Sequence, residues 1–198
     1  MAIQLTFTNM LELTSILSPT LITFFLVMLS LFNLNMKGIF YLAGGVLATI
    51  VNYMLGPSFT SDTDIPLQPM CNLIEFAPLT QYTNPSVSTM YLSFTLMYLF
   101  LPMLYYNQIN LYLVTALILM IGIDIITKVK NGCTNMLGSF VGMLLGIILS
   151  ILWIGLLVSM PGDDLKQMLY YEEFGSNKAF CKKNNTKFRC TYLPTLGD

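Results

Sequence analysis

Five stretches of this chain are apolar over the roughly 17–25 residues that a helix needs to cross the hydrocarbon of a bilayer. They run from Leu17 to Leu34, Gly38 to Leu55, Ser88 to Tyr105, Leu111 to about Thr127 and Met136 to Met160. Lipid offers an exposed backbone nothing to hydrogen-bond, so each stretch must satisfy its own peptide groups as a helix. Only Asn35, Met36 and Lys37 separate the first two, which forces a tight antiparallel helical hairpin. Pro102 stands near the end of the third, where a kink costs little. The expected fold class is therefore all-α, a polytopic transmembrane bundle of about five crossings. With 55% hydrophobic and 10% charged residues, the composition lies outside the range of soluble domains, about 45–50% and about 25%.

Several functions are excluded by what the chain lacks. It contains no histidine, so no imidazole can act as metal ligand, general base or phosphoryl carrier. Net charge is −1, and the few basic residues form no long face for nucleic acid. No cofactor and no metal site are expected.

Ahead of the first crossing, Asn9 and Glu12 have the spacing of an N-cap and its reciprocal partner. Phe7, Met10, Leu11, Leu13, Ile16 and Leu17 make much of that segment apolar. It reads as a short interfacial helix on the membrane surface, or else as the start of the first crossing. Between the second and third crossings lies a polar loop, residues 56–87, with Pro57, Pro66, Pro69, Pro78 and Pro85 beside Asp62, Asp64 and Glu75. So many prolines oppose a regular helix, and a loop of this length in a compact protein is usually functional or a linker. Pro161-Gly162-Asp163-Asp164 marks the exit from the membrane. The chain thus divides into a transmembrane domain, residues 1–160, and a polar C-terminal tail, residues 161–198, too short for an independent domain.

Five crossings place the N-terminus, the long loop, Lys128 and Lys130 on one face. Lys37 and the tail, with Lys166, Lys178, Lys182, Lys183, Lys187 and Arg189, fall on the other, and the positive-inside rule puts the tail in the cytoplasm. Asn184-Asn185-Thr186 is formally a glycosylation sequon and argues the opposite way. Cys181 and Cys190 bracket a turn-forming Asn184-Asn185 and could close a disulfide-bonded hairpin. Such a bridge would also place the tail in an oxidising compartment; two free thiols are the alternative. Cys71 and Cys133 fall on the face opposite the tail, so a zinc site using all four is not expected.

Two features stand on the helices themselves. Gly138, Gly142 and Gly146 recur at four-residue spacing in the fifth crossing, giving a face that another backbone can approach closely. Packing within the bundle is the preferred reading over self-association. Asp124 is an intramembrane carboxylate, a functional hypothesis by default. It precedes Lys128 by four residues on one helix face, which favours an interfacial, snorkelling ion pair over a proton or ion site.

Pro85-Ser86 opening a helix, a second crossing after it, and a short loop into a glycine-rich last helix resemble the membrane branch of the type 2 phosphatidic acid phosphatase and haloperoxidase superfamily. The resemblance covers about residues 38–158, and topology carries it more than letters. The family's motifs are K-x-x-x-x-x-x-R-P, P-S-G-H at a helix start, and R-x-x-x-x-x-H-x-x-x-D before a helix with spaced glycines. Registered on Gly138 and Gly142, the third motif puts Asp124 at the arginine position, Lys130 at the nucleophilic histidine and Thr134 at the aspartate. In the second motif Pro85 and Ser86 match, Val87 replaces glycine and Ser88 replaces histidine. The first motif, placed on Gly56-Pro57, has Thr49 at its lysine.

The resemblance implies a bundle of that family's kind, with a lipid-phosphate site whose phosphohistidine chemistry has been lost. Ser86 and Ser88 are possible nucleophiles without an identifiable base in the sequence. The reading that follows is a catalytically inactive scaffold or anchor. Its partners would be membrane lipids and, through the tail, other membrane or capsid proteins. The general pattern also resembles small hydrophobic proteins of large DNA viruses, which would place it in a host endomembrane or a virion's internal membrane. Competing classes are an active lipid-phosphate phosphatase with atypical residues and a small channel or transporter.

Overall fold

The computed structural model describes residues 7–59, 71, 84–107, 109–159, 169–170, 180–184 and 187–191. Five helices follow one another: α1 (Phe7–Phe32), α2 (Lys37–Phe59), α3 (Val87–Tyr105), α4 (Leu111–Lys130) and α5 (Met136–Val158). All five are long and apolar enough to cross a membrane. The protein is a multi-pass integral membrane protein. Successive crossings put the start of α1, the α2–α3 connection and the α4–α5 connection on one face, hereafter the N face. The chain leaves α5 on the opposite, tail face. Most of the 56–87 loop and of the tail lies outside the described residues, as do the sequon's Asn185 and Thr186. Within the tail, β1 (Phe180–Asn184) and β2 (Lys187–Thr191) form an antiparallel hairpin.

The N-terminal segment is not a separate element. α1 runs unbroken from Phe7, so Asn9 lies inside the helix and not at its cap, and Ser15 and Ser18 are buried in the bundle. Pro19 lies within the same helix and has no N–H to offer the carbonyl of Ser15, four residues back. The Ser18 hydroxyl donates to that carbonyl at 3.0 Å, supplying a bond that lipid would not. Likewise α2 continues past Pro57 to Phe59, further than the apolar run alone indicates.

α3 is the central helix, with ten buried residues among its nineteen. Its sequence agrees with this: Thr89, Ser93, Thr95 and Tyr98 put hydroxyl groups on more than one side of the helix, and all four are buried. α5 packs against it through glycines. A Cβ at Gly138 would stand 1.9 Å from Asn84 Oδ1, one at Gly142 2.8 Å from the Ser86 carbonyl oxygen, and one at Gly146 2.1 Å from that of Met90. Only a residue without a side chain permits that approach.

Further along α3 from its start, the core is aromatic. Tyr41 packs against Tyr91, Phe94 and Tyr98 at centroid distances of 5.4–6.3 Å. Its hydroxyl lies 2.7 Å from Thr95 Oγ1. Thr95 gives its one proton to the Tyr91 carbonyl, so Tyr41 donates here. Thr23 Oγ1 meets the Tyr91 hydroxyl at 3.0 Å, and the Trp153 indole N–H reaches the Phe40 carbonyl at 3.2 Å. Leu169 and Tyr170 return into the bundle and are buried, the Tyr170 hydroxyl donating to the Leu26 carbonyl.

Candidate functional site beneath the N face

Pro85 and Ser86 lead into α3 and place Ser88 and Thr89 in its first turn. That turn lies against the last turns of α4, where Asp124 and Lys128 share one face. The Asp124 carboxylate is fully buried, at 0% exposure. Ser15 Oγ donates to its Oδ1 at 2.9 Å, while Ser88 Oγ and Thr89 Oγ1 donate to Oδ2 at 2.7 and 2.8 Å. Three helices thus converge on one carboxylate. Lys128 Nζ stands 4.0 Å from Oδ1 and donates to Ser88 Oγ, and its side chain is 16% exposed.

Buried charge is tolerated only when it is paired and hydrogen-bonded, and here both conditions are met. Thr89 Oγ1 is also within donating distance of Ser86 Oγ, at 3.0 Å; a hydroxyl has one proton, so Thr89 shares its own between Ser86 and the carboxylate. The order Lys128 ammonium, Ser88 hydroxyl, Asp124 carboxylate forms a continuous donor chain.

A second polar layer supports the first. Asn84 Oδ1 accepts from Thr134 Oγ1 at 2.9 Å, Asn52 Nδ2 donates to the Pro85 carbonyl at 3.2 Å, and the Ser86 N–H donates to the Gly138 carbonyl at 3.2 Å. These bonds fix the start of α3 against α2, α5 and the α4–α5 connection. They also explain why Gly138 must lack a side chain, because Asn84 fills that space.

Of the residues singled out by sequence, Ser86, Ser88 and Asp124 come together, Pro85 fixes the approach to them, and Thr134 joins one layer away through Asn84. Lys130 does not: it is exposed on the last turn of α4, outside the cluster. Two sequence readings are corrected. Asp124 is no snorkelling interfacial group but faces the bundle interior, because α4 turns Leu117, Ile121 and Asp124 inward together. Ser88 does have a basic neighbour, Lys128. Ser15, Thr89, Asn84 and Asn52 complete the site and were not singled out by sequence. The signal available for Ser15 was a serine in an apolar helix facing an acid that needed donors.

Above this site a disulfide joins Cys71 to Cys133, with Cα atoms 5.5 Å apart across a separation of 62 residues. It ties the α2–α3 connection to the α4–α5 connection. In the tail, Cys181 is directly opposite Cys190 in the strand register; their side chains lie outside the described residues. The chain matches no protein-family model, no curated protein and no solved structure.

Proposed function

We propose that this integral membrane protein is a non-catalytic scaffold, built on a phosphatidic-acid-phosphatase-like bundle whose chemistry has been replaced by structural bonding. The observation that carries this reading is the closed coordination of Asp124 by Ser15, Ser88 and Thr89. In the register of the sequence resemblance, Asp124 occupies an arginine position and Ser88 a histidine position. Phosphoryl transfer needs cationic donors aimed at the developing charge, and a buried carboxylate there does the reverse. The hydroxyls that would face a substrate are turned onto Asp124 and bind α1, α3 and α4 to one another. The long loop and the tail then serve as contact surfaces for lipids and for other membrane or capsid proteins.

The test is phosphate release from phosphatidic acid and related lipid phosphates by the purified protein in lipid nanodiscs. Background release is expected from the wild type and from Ser86→Ala and Ser88→Ala alike. Turnover lost in Ser88→Ala would overturn the scaffold reading.

One contact favours a second reading, an active lipid-phosphate enzyme with atypical residues. Lys128 Nζ lies against Ser88 Oγ, the arrangement in which an amine serves a serine nucleophile. That reading requires turnover abolished by both Ser88→Ala and Lys128→Met.

A further inference from the structure

Five of the chain's nine basic residues, Lys178, Lys182, Lys183, Lys187 and Arg189, fall in residues 178–191, a segment without Asp or Glu. The hairpin register sorts them. Directly opposed residues of an antiparallel pair share a face, and successive residues alternate faces. Phe180 opposes Thr191, Lys182 opposes Arg189 and Asn184 opposes Lys187, all on one face; the other holds Cys181 with Cys190 and Lys183 with Phe188. Lys182, Lys187 and Arg189 thereby hold register positions of one face of the hairpin, and Lys183 one of the other.

The fold also restricts where this hairpin can be. Tyr170 is anchored in the bundle through Leu26, and Phe180 opens the hairpin ten residues later. Ten residues span at most about 33–36 Å, so the hairpin stays within reach of the membrane surface. Its side of the membrane follows from the disulfide. Cys71 and Cys133 are bridged on the N face, and persistent disulfides belong to oxidising compartments. The tail lies one crossing further on, at the cytosolic face, where the leaflet carries anionic lipids that attract nearby Lys and Arg.

We propose that the Lys182, Lys187 and Arg189 face of the hairpin docks on anionic phospholipid headgroups of the cytosolic leaflet and holds the tail against the bilayer. The test uses the full-length protein in nanodiscs of phosphatidylcholine alone and of phosphatidylcholine with phosphatidylserine, following amide hydrogen exchange of the hairpin. Exchange is expected to be slower in the anionic discs, with the difference removed by high salt. Lys182→Gln, Lys187→Gln and Arg189→Gln should each lower the docked-to-free ratio about fivefold, and Lys183→Gln by clearly less. Equal exchange in the two discs would overturn the proposal and leave the basic face to a protein partner. A Lys183→Gln effect as large as the others would overturn the assignment to one face. In sealed microsomes a tag after Asp198 should be digested by added protease; protection of that tag would refute the cytosolic placement.

Discussion

Near the N face, α3 presents Ser88 and Thr89 to a carboxylate that also binds Ser15 and stands beside an ammonium. Over the next three turns the same helix presents Tyr91, Thr95 and Tyr98 to Tyr41 and Thr23, with no carboxylate or ammonium among them. Hydroxyls are buried at both levels, but they answer to different constraints. In the aromatic level each hydroxyl satisfies a neighbour that could manage with a backbone carbonyl, so losses are local. At the charged level the hydroxyls jointly keep a full charge tolerable inside the bundle. Polar content alone therefore does not mark the site; the charge does.

Breaking the charged level should cost most. Asp124→Ala leaves Lys128 without its buried partner, and a loss of about 3–5 kcal/mol is expected in reversible unfolding in mixed micelles. The double variant Asp124→Leu with Lys128→Met should recover most of it, and a double as damaged as the single would show that charge is not the reason. Replacing Cys71 and Cys133 together by serine should cost about 2–4 kcal/mol by releasing the long loop that the bridge closes. Under reducing conditions the wild type should fall to the same stability. Gly146→Ala forces a Cβ against the Met90 carbonyl and should cost about 1–3 kcal/mol. Gly155, where a Cβ would meet nothing within 4 Å, should accept alanine within about 0.5 kcal/mol. Among the polar substitutions the smallest effect belongs to the neutral level: Tyr41→Phe removes one hydroxyl contact, worth about 0.6 kcal/mol on average within membranes. A loss there equal to that of Asp124→Ala would erase the distinction between the two levels.

The crossings were legible because hydrocarbon thickness sets a length that an apolar run either reaches or does not. The glycine spacing in α5 was legible for a similar reason, since a four-residue repeat defines a helix face without knowledge of its partner. The burial of Asp124 was not. α4 is apolar on nearly every side, so no contrast between faces tells which one turns inward, although Leu117 and Ile121 lie on the same stripe. The bond from Ser15 to Asp124 joins positions 109 residues apart, and the contact of Lys128 with Ser88 spans 40. Both depend on how three helices are placed side by side, which no local pattern records. Cysteine spacing was equally silent on the Cys71–Cys133 pair, because the proline-rich connection holding Cys71 has no periodicity that locates it in space.

Leu169 and Tyr170 lie beyond the last crossing, yet they are as deeply buried as the residues of α3. A chain cut back to Met160 would keep all five membrane-spanning segments and still lose part of its interior, exposing the Leu26 carbonyl and the apolar surface around it. Shortening from the C-terminus as far as Tyr170 should therefore disturb the packing of the bundle, and a protease that nicks the tail on the near side of that residue would do more than free a basic hairpin: it would unplug the bundle.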